Sequence, residues 1–142
     1  RCCQTGYWMI SNSEALGKIV WLMGHSRQHH TYKIQDCFRV MLPPIASNQY
    51  RIWEGKKHPL GFMTWAWLNN ENHHRYLQGK KIIESQDFKG GDHLWLIDII
   101  CPFGNVRQLM SEARKHLTDL YGKGKVINFK RTKNGLIKKV VL

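Results

Sequence analysis

Residues 92–104 read DHLWLIDIICPFG. From Leu94 to Cys101 every residue but one is apolar, and tryptophan and isoleucine are prominent. This is the composition of a strand buried within a sheet. The exception is Asp98. A carboxylate inside such a run must be paired or hydrogen-bonded, because desolvating a lone charge is costly. Asp98 is therefore a candidate for chemistry. A structural carboxylate bonded to nearby backbone N–H groups is the competing reading. Pro102-Phe103-Gly104 stops the strand.

Toward the C-terminus, Asn105 stands at a helix-capping position. Val106, Leu109, Met110, Ala113, Leu117 and Leu120 then recur at helical spacing up to Gly122. Two strands are expected next, Val126–Arg131 and Leu136–Leu142, joined by a Lys133-Asn134-Gly135 turn. Lys123, Lys125, Lys130, Arg131, Lys133, Lys138 and Lys139 fall in this part, and no acid follows Asp119. Such an end is either a solvated edge guarded by lysines or a docking surface for an anionic partner.

Toward the N-terminus, Gln49–Glu54 and Leu60–Leu68 read as a hairpin around Gly55–Pro59. A polar helix over Glu71–Gln78, capped by Asn69 or Asn70, carries His73-His74, read as a solvated face. Lys80–Phe88 reads as a linker or short element. Further back, Ser11 and Glu14 have capping-box spacing. A helix from there would place Leu16, Ile19, Val20 and Met23 on one side and end at Gly24. Residues 1–10 are read as disordered or foreign to the domain.

Between that helix and the hairpin lies GHSRQHHTYKIQDCFRVMLPPI, residues 24–45. It holds His25, His29 and His30. Histidine titrates near neutrality, so a cluster of three in a loop is a candidate acid/base site, although most loop histidines are merely solvated. Ile34, Cys37, Phe38 and Met41 predict a second helix over Thr31–Leu42, ended by Pro43-Pro44.

The 142 residues suit one domain, 1–142, with a real core. The order of elements implies an α/β fold, a mixed twisted sheet flanked by helices. The formal net charge of +12 favours an anionic partner. Four cysteines form no CxxC pair and no zinc spacing, so no metal is expected. No secretory leader or membrane-length apolar run is read, which makes the cytoplasm the expected location.

Several segments together resemble the toxin-activating lysine acyltransferases that act on RTX toxins. They are LGKIVWLMGHSRQHH (16–30), VMLPPI (40–45), NQYRIW (48–53), the strand ending TWAWL at Leu68, and GGDHLWLIDIICPFG (90–104) with its following helix. The version here is most similar to members paired with very large multifunctional-autoprocessing RTX toxins. The resemblance implies a GNAT-like fold, usually dimeric. It implies transfer of a fatty acyl group from acyl carrier protein, as co-substrate and not a bound cofactor, to internal lysines of an RTX protoxin.

The family's S-x-x-H pattern falls on Ser26-Arg27-Gln28-His29, which makes His29, and not its neighbour His30, the implied catalytic histidine. The implied aspartate is Asp98, with Ser26 in an orienting role. His29 would take a proton from the lysine amine and Asp98 would stabilise the imidazolium. Direct transfer and an acyl-His29 intermediate are both open. No Q/R-x-x-G-x-G/A loop is present, which favours a carrier-protein donor over coenzyme A. Two alternatives compete: a toxin-binding chaperone on the same scaffold, and a basic nucleic-acid-binding module. The second is disfavoured because the tryptophans fall mainly in core strands and no nucleic-acid motif occurs.

Overall fold

The computed structural model describes residues 2–80, 83–131 and 135–142, with side chains from residue 12 onward. Five strands form one mixed sheet in the order β1 (Tyr50–Glu54), β2 (Pro59–Leu68), β3 (His93–Ile100), β4 (Val126–Lys130) and β5 (Ile137–Val141). β1/β2, β2/β3 and β4/β5 are antiparallel, and β3/β4 are parallel. Parallel neighbours need a crossover, and helix α5 (Val106–Tyr121) supplies it.

α5 lies on one face. Its Leu109, Ala113 and Leu117 pack with Trp53, Met63, Trp65, Leu94, Leu96 and Ile127. The other face is covered by α1 (Cys2–Gly24), α2 (Ile34–Val40) and α3 (Leu42–Ala46), where Ile19, Leu22, Met23, Met41 and Ile45 meet Phe62 and Ile100. Beside them α4 (Asn70–Leu77) and a short 3-10 turn, Ser85–Asp87, lie over Ala66, Leu68 and Trp95. Both faces of the central strands are thus buried. This accounts for the near-continuous apolar run of β3.

Several boundaries differ from the sequence reading. α1 starts at Cys2, so the capping-box pair falls inside a helix. No proline interrupts residues 2–24, and cap chemistry acts only at a helix end. The expected 31–42 helix is shorter, α2 alone, and a second helix, α3, follows it. Met41 ends α2, and Pro43-Pro44 open α3 in its first turn, where a missing N–H costs nothing. Asn69 caps α4 by accepting the Asn72 N–H at 2.8 Å. Asn105 makes no side-chain cap and sits at φ 61°. The Lys133-Asn134-Gly135 turn falls mostly on residues 132–134, outside the described residues.

Two positions illustrate where geometry requires glycine. Gly122 ends α5 at φ 88°. A Cβ at Gly91 would lie 2.1 Å from the Leu68 carbonyl oxygen. Among the described residues no helix is long and apolar enough to cross a membrane.

Candidate active site

The loop after α1 is wound by backbone bonds. The Ser26 carbonyl accepts the N–H groups of both His29 and His30, at 3.1 and 2.9 Å. One turn of this kind puts positions three apart on the same side. Ser26 and His29 consequently meet, Oγ to Nδ1 at 2.9 Å.

The other partner comes from β3. Leu94 and Leu96 face α5, so strict alternation would turn Asp98 the same way. The strand instead carries a bulge: Trp65 pairs with Leu96 and Thr64 with Asp98, leaving Ile97 extra. The extra residue reverses the phase, as bulges do. Ile100 then packs against α1 and α3, while Ile99 and Cys101 pack on the α5 side. Asp98 reaches the α1–α2 loop, and its Oδ1 lies 3.2 Å from His29 Nε2.

A carboxylate only accepts, so His29 donates its Nε2–H to Asp98. In the neutral ring Nδ1 then accepts the Ser26 hydroxyl. Hydroxyl, imidazole and carboxylate form one chain across 69 residues of sequence. His29 is only 6% exposed, whereas the Asp98 side chain is 21% exposed.

The other two histidines of the loop point elsewhere. His30 donates Nδ1–H to the Ser26 and Arg27 carbonyls, and His25 donates to the Trp21 carbonyl; both are exposed. The structure thus brings together Ser26, His29 and Asp98 and leaves His25 and His30 apart.

Asp98 opens onto a cleft of about 840 Å³. β3 and β4 pair only from Leu94/Ile127 to Leu96/Phe129, and beyond those residues the cleft lies between the strands. Its walls are Leu96, Ile97, Ile99, Val106, Met110 and Phe129, and Gln28, Lys130 and Arg131 are its polar members. It is an apolar slot with a carboxylate in its wall and two cations.

Two tyrosines missed in the sequence reading approach this centre. The Tyr32 ring is 5.1 Å from that of His29, and its phenol is pushed up from 10.0 by burial first and then by the Asp98 charge. Tyr76 of α4 packs edge-on against Trp95 under the Lys130 ammonium, 3.7 Å from the ring centre. Burial, with Asp98 second, pushes its phenol up to about 12. Burial also lowers Lys130. The one signal in the sequence was an aromatic on an otherwise polar helix.

His73, read as solvated, is buried. It accepts the Trp95 indole N–H at 2.9 Å and stacks on His93 at 3.9 Å. Burial lowers its pKa from 6.5, helped by His93, His74 and Lys139. Cys101 is pushed up to about 11 by burial, and Cys37 is raised chiefly for the same reason. Both are thiols at neutral pH, poorly suited to act as nucleophiles. Among the described residues no group of three or more His, Cys, Asp or Glu is placed to hold a metal ion.

Fold and site together define an α/β protein with a hydrogen-bonded histidine–carboxylate pair at the wall of an apolar cleft. The chain belongs to the RTX toxin acyltransferase family, whose model matches residues 9–141. It is 36% identical over 105 residues to the RTX-I toxin-activating lysine-acyltransferase ApxIC of Actinobacillus pleuropneumoniae, covering 74% of this chain and 61% of that protein. It is 33% identical over 106 residues to the protein-lysine myristoyltransferase HlyC of Escherichia coli, covering 75% and 61%. An uncharacterised Synechocystis protein, sll0720, is 29% identical over 116 residues, 78% and 79% of the two chains. The matched region thus spans about three-fifths of the length of the two named acyltransferases.

Proposed function

We infer that this protein is a protein-lysine acyltransferase that moves a fatty acyl group from acyl carrier protein to internal lysine ε-amino groups of an RTX protoxin. The observation that carries this reading is the Ser26–His29–Asp98 chain set beside an apolar cleft. Membership of the family supports it.

A lysine amine is mostly protonated at neutral pH, with an ordinary pKa of about 10.4. It must lose that proton to attack a thioester. His29 takes it at Nδ1, relayed by the Ser26 hydroxyl, which gives its own proton to the ring as it receives the substrate's. Asp98 stays ionised, fixes the ring through Nε2 and balances the imidazolium. The amine nitrogen bonds to the acyl carbon, the carrier's thiolate leaves and takes a proton from the imidazolium, and the freed ring then takes the second proton from the new amide nitrogen and passes it to solvent. Both ring nitrogens of His29 are engaged in hydrogen bonds. This favours direct transfer over an acyl-His29 intermediate. The acyl chain lies along the apolar cleft. Lys130 and Arg131 suit the phosphate of a phosphopantetheine arm and the acidic surface of a carrier protein.

The mixed sheet with helices on both faces supports a GNAT-like scaffold. We further infer one domain, a homodimer, no resident cofactor and a cytoplasmic site of action. The test is a reconstituted reaction of purified protein with a lysine-bearing toxin segment and either acyl-carrier-protein thioester or acyl-coenzyme A. Peptide mass spectrometry reads the product. Acylated lysines with the carrier donor, and few or none with coenzyme A, are expected. Unmodified lysines with both donors would overturn the reading.

A further inference from the structure

A second apolar cavity lies beside the cleft. It has a volume of about 300 Å³ and sits between α5 and strands β3–β5. Leu96, Met110 and Phe129 line both spaces, so the two cavities share a wall. Beyond that wall the apolar lining is Ala113, Leu117, Ile127, Val140 and Leu142, with Ser111 and Arg114 beside them. The axis can be followed along two elements. On α5, Met110, Ala113 and Leu117 form a helical stripe leading away from the cleft. On β4, Phe129 stands at the near end and Ile127, two residues back on the same face, at the far end. The one cation in the lining, Arg114, donates Nη2–H to the Val141 carbonyl at 2.7 Å. Its charge is directed at the β5 backbone.

Protein interiors leave few voids larger than a water. An apolar cavity of about 150 Å³ already stays dry and takes up benzene. A space twice as large, lined by aliphatic side chains and adjoining the candidate active site, is suited to an apolar ligand. Its lining is mostly apolar, with Ser111 and Arg114 as the polar members.

We propose that this cavity is the acyl-chain pocket, and that its depth under α5 sets which fatty acyl chain lengths the enzyme transfers. The proposal rests on the acyl-transfer reading above and deepens it. The thioester lies at the Gln28 end of the open cleft, beside the Ser26–His29 pair. The methyl end of the chain passes Met110 and Phe129 and ends against Leu117, Ile127 and Leu142. Met110 is the gate. Its unbranched thioether changes rotamer at small cost and fills gaps of variable shape. Ala113, midway along, leaves the room that a larger side chain would take.

The test is Ala113→Leu, with Val140→Leu as a milder variant should the first fail to fold. Each protein receives an equimolar mixture of short-, medium- and long-chain thioesters of acyl carrier protein with a lysine-bearing toxin segment. Mass spectrometry reads the distribution of acyl chains on lysine. In parallel, free fatty acids of the same lengths are titrated by tryptophan fluorescence, a readout that needs no transfer. One methylene in an apolar pocket is worth about tenfold or more in discrimination. The ratio of longest- to shortest-chain product is therefore expected to fall at least tenfold in Ala113→Leu, with a matching loss of long-chain fatty acid binding. An unchanged product ratio from a transferring enzyme would overturn the pocket and leave the acyltransferase reading standing. If the wild type transfers nothing, length-dependent binding that Ala113→Leu shortens would support the pocket alone. Binding of equal strength at every length in both proteins would overturn it.

Discussion

Replacing Asp98 separates its structural from its chemical contribution. In Asp98→Ala the His29 Nε2–H loses its acceptor while the ring stays 6% exposed. A buried unsatisfied donor costs about 1–3 kcal/mol. For a chain of this size that lowers the melting temperature by about 2–12 °C. Asp98→Asn keeps an oxygen for that N–H, so its cost should stay under about 1 kcal/mol. It loses the charge. Opposite unit charges 3.2 Å apart attract by about 5 kcal/mol at an effective dielectric of 20. One-fifth of the Asp98 side chain is open to solvent, which reduces the useful part to about 3–4 kcal/mol, or about 10²–10³ in rate. The assays are thermal melts by circular dichroism and initial rates of lysine acylation. Near-native melting with a rate down about 10²–10³-fold is expected for Asp98→Asn. A rate within threefold of wild type, or an Asp98→Ala variant that melts like wild type, would refute the argument.

Three further outcomes follow from other parts of the molecule. Gly91→Ala drives a Cβ to within 2.1 Å of the Leu68 carbonyl oxygen and must move backbone, so a loss of about 1–3 kcal/mol or more is expected in denaturant titration. Burial holds His73 below its ordinary 6.5. Its neutral state therefore favours the fold fully above that value. As pH falls below 6.5 the unfolded chain gains the proton first, and stability is lost. His73→Gln should flatten the fall in melting temperature between about pH 6.5 and 5, and an unchanged slope would contradict the assignment. Arg131→Glu should raise KM for acyl carrier protein several-fold and weaken its salt dependence, with melting unchanged. A KM equal to wild type would remove Arg131 from the donor surface.

The hairpin, β3, α5 and the last two strands were legible because each combines a clear period with a strong stop, such as Pro102 after β3 or Gly122 after α5. The start of α1 was not. Ser11 and Glu14 have the spacing of a cap wherever they occur, and nothing in that spacing distinguishes a helix end from a helix interior. Pro43-Pro44 has the same ambiguity, because proline ends one helix and suits the first turn of the next. His73 looked solvated because its helix is polar, and the indole it accepts from comes from Trp95, 22 residues away. Asp98 stood out as the one charge in an apolar run, but the choice of His29 within its cluster, and its pairing with Asp98, came through the family resemblance. Alternation alone would have put Asp98 on the face of Leu94 and Leu96, away from the histidine loop. A bulge of one residue reverses that, and bulges leave little trace in a continuous apolar run.

The most direct test is co-expression of this protein with an RTX protoxin and acyl carrier protein, comparing wild type with His29→Ala and reading toxin lysines by intact-mass and peptide mass spectrometry. A melt of the variant shows that it is folded. Fatty-acylated lysines with wild type and bare lysines with folded His29→Ala are the predicted result. Equal acylation by both, or bare lysines with both while the toxin remains bound, would contradict it.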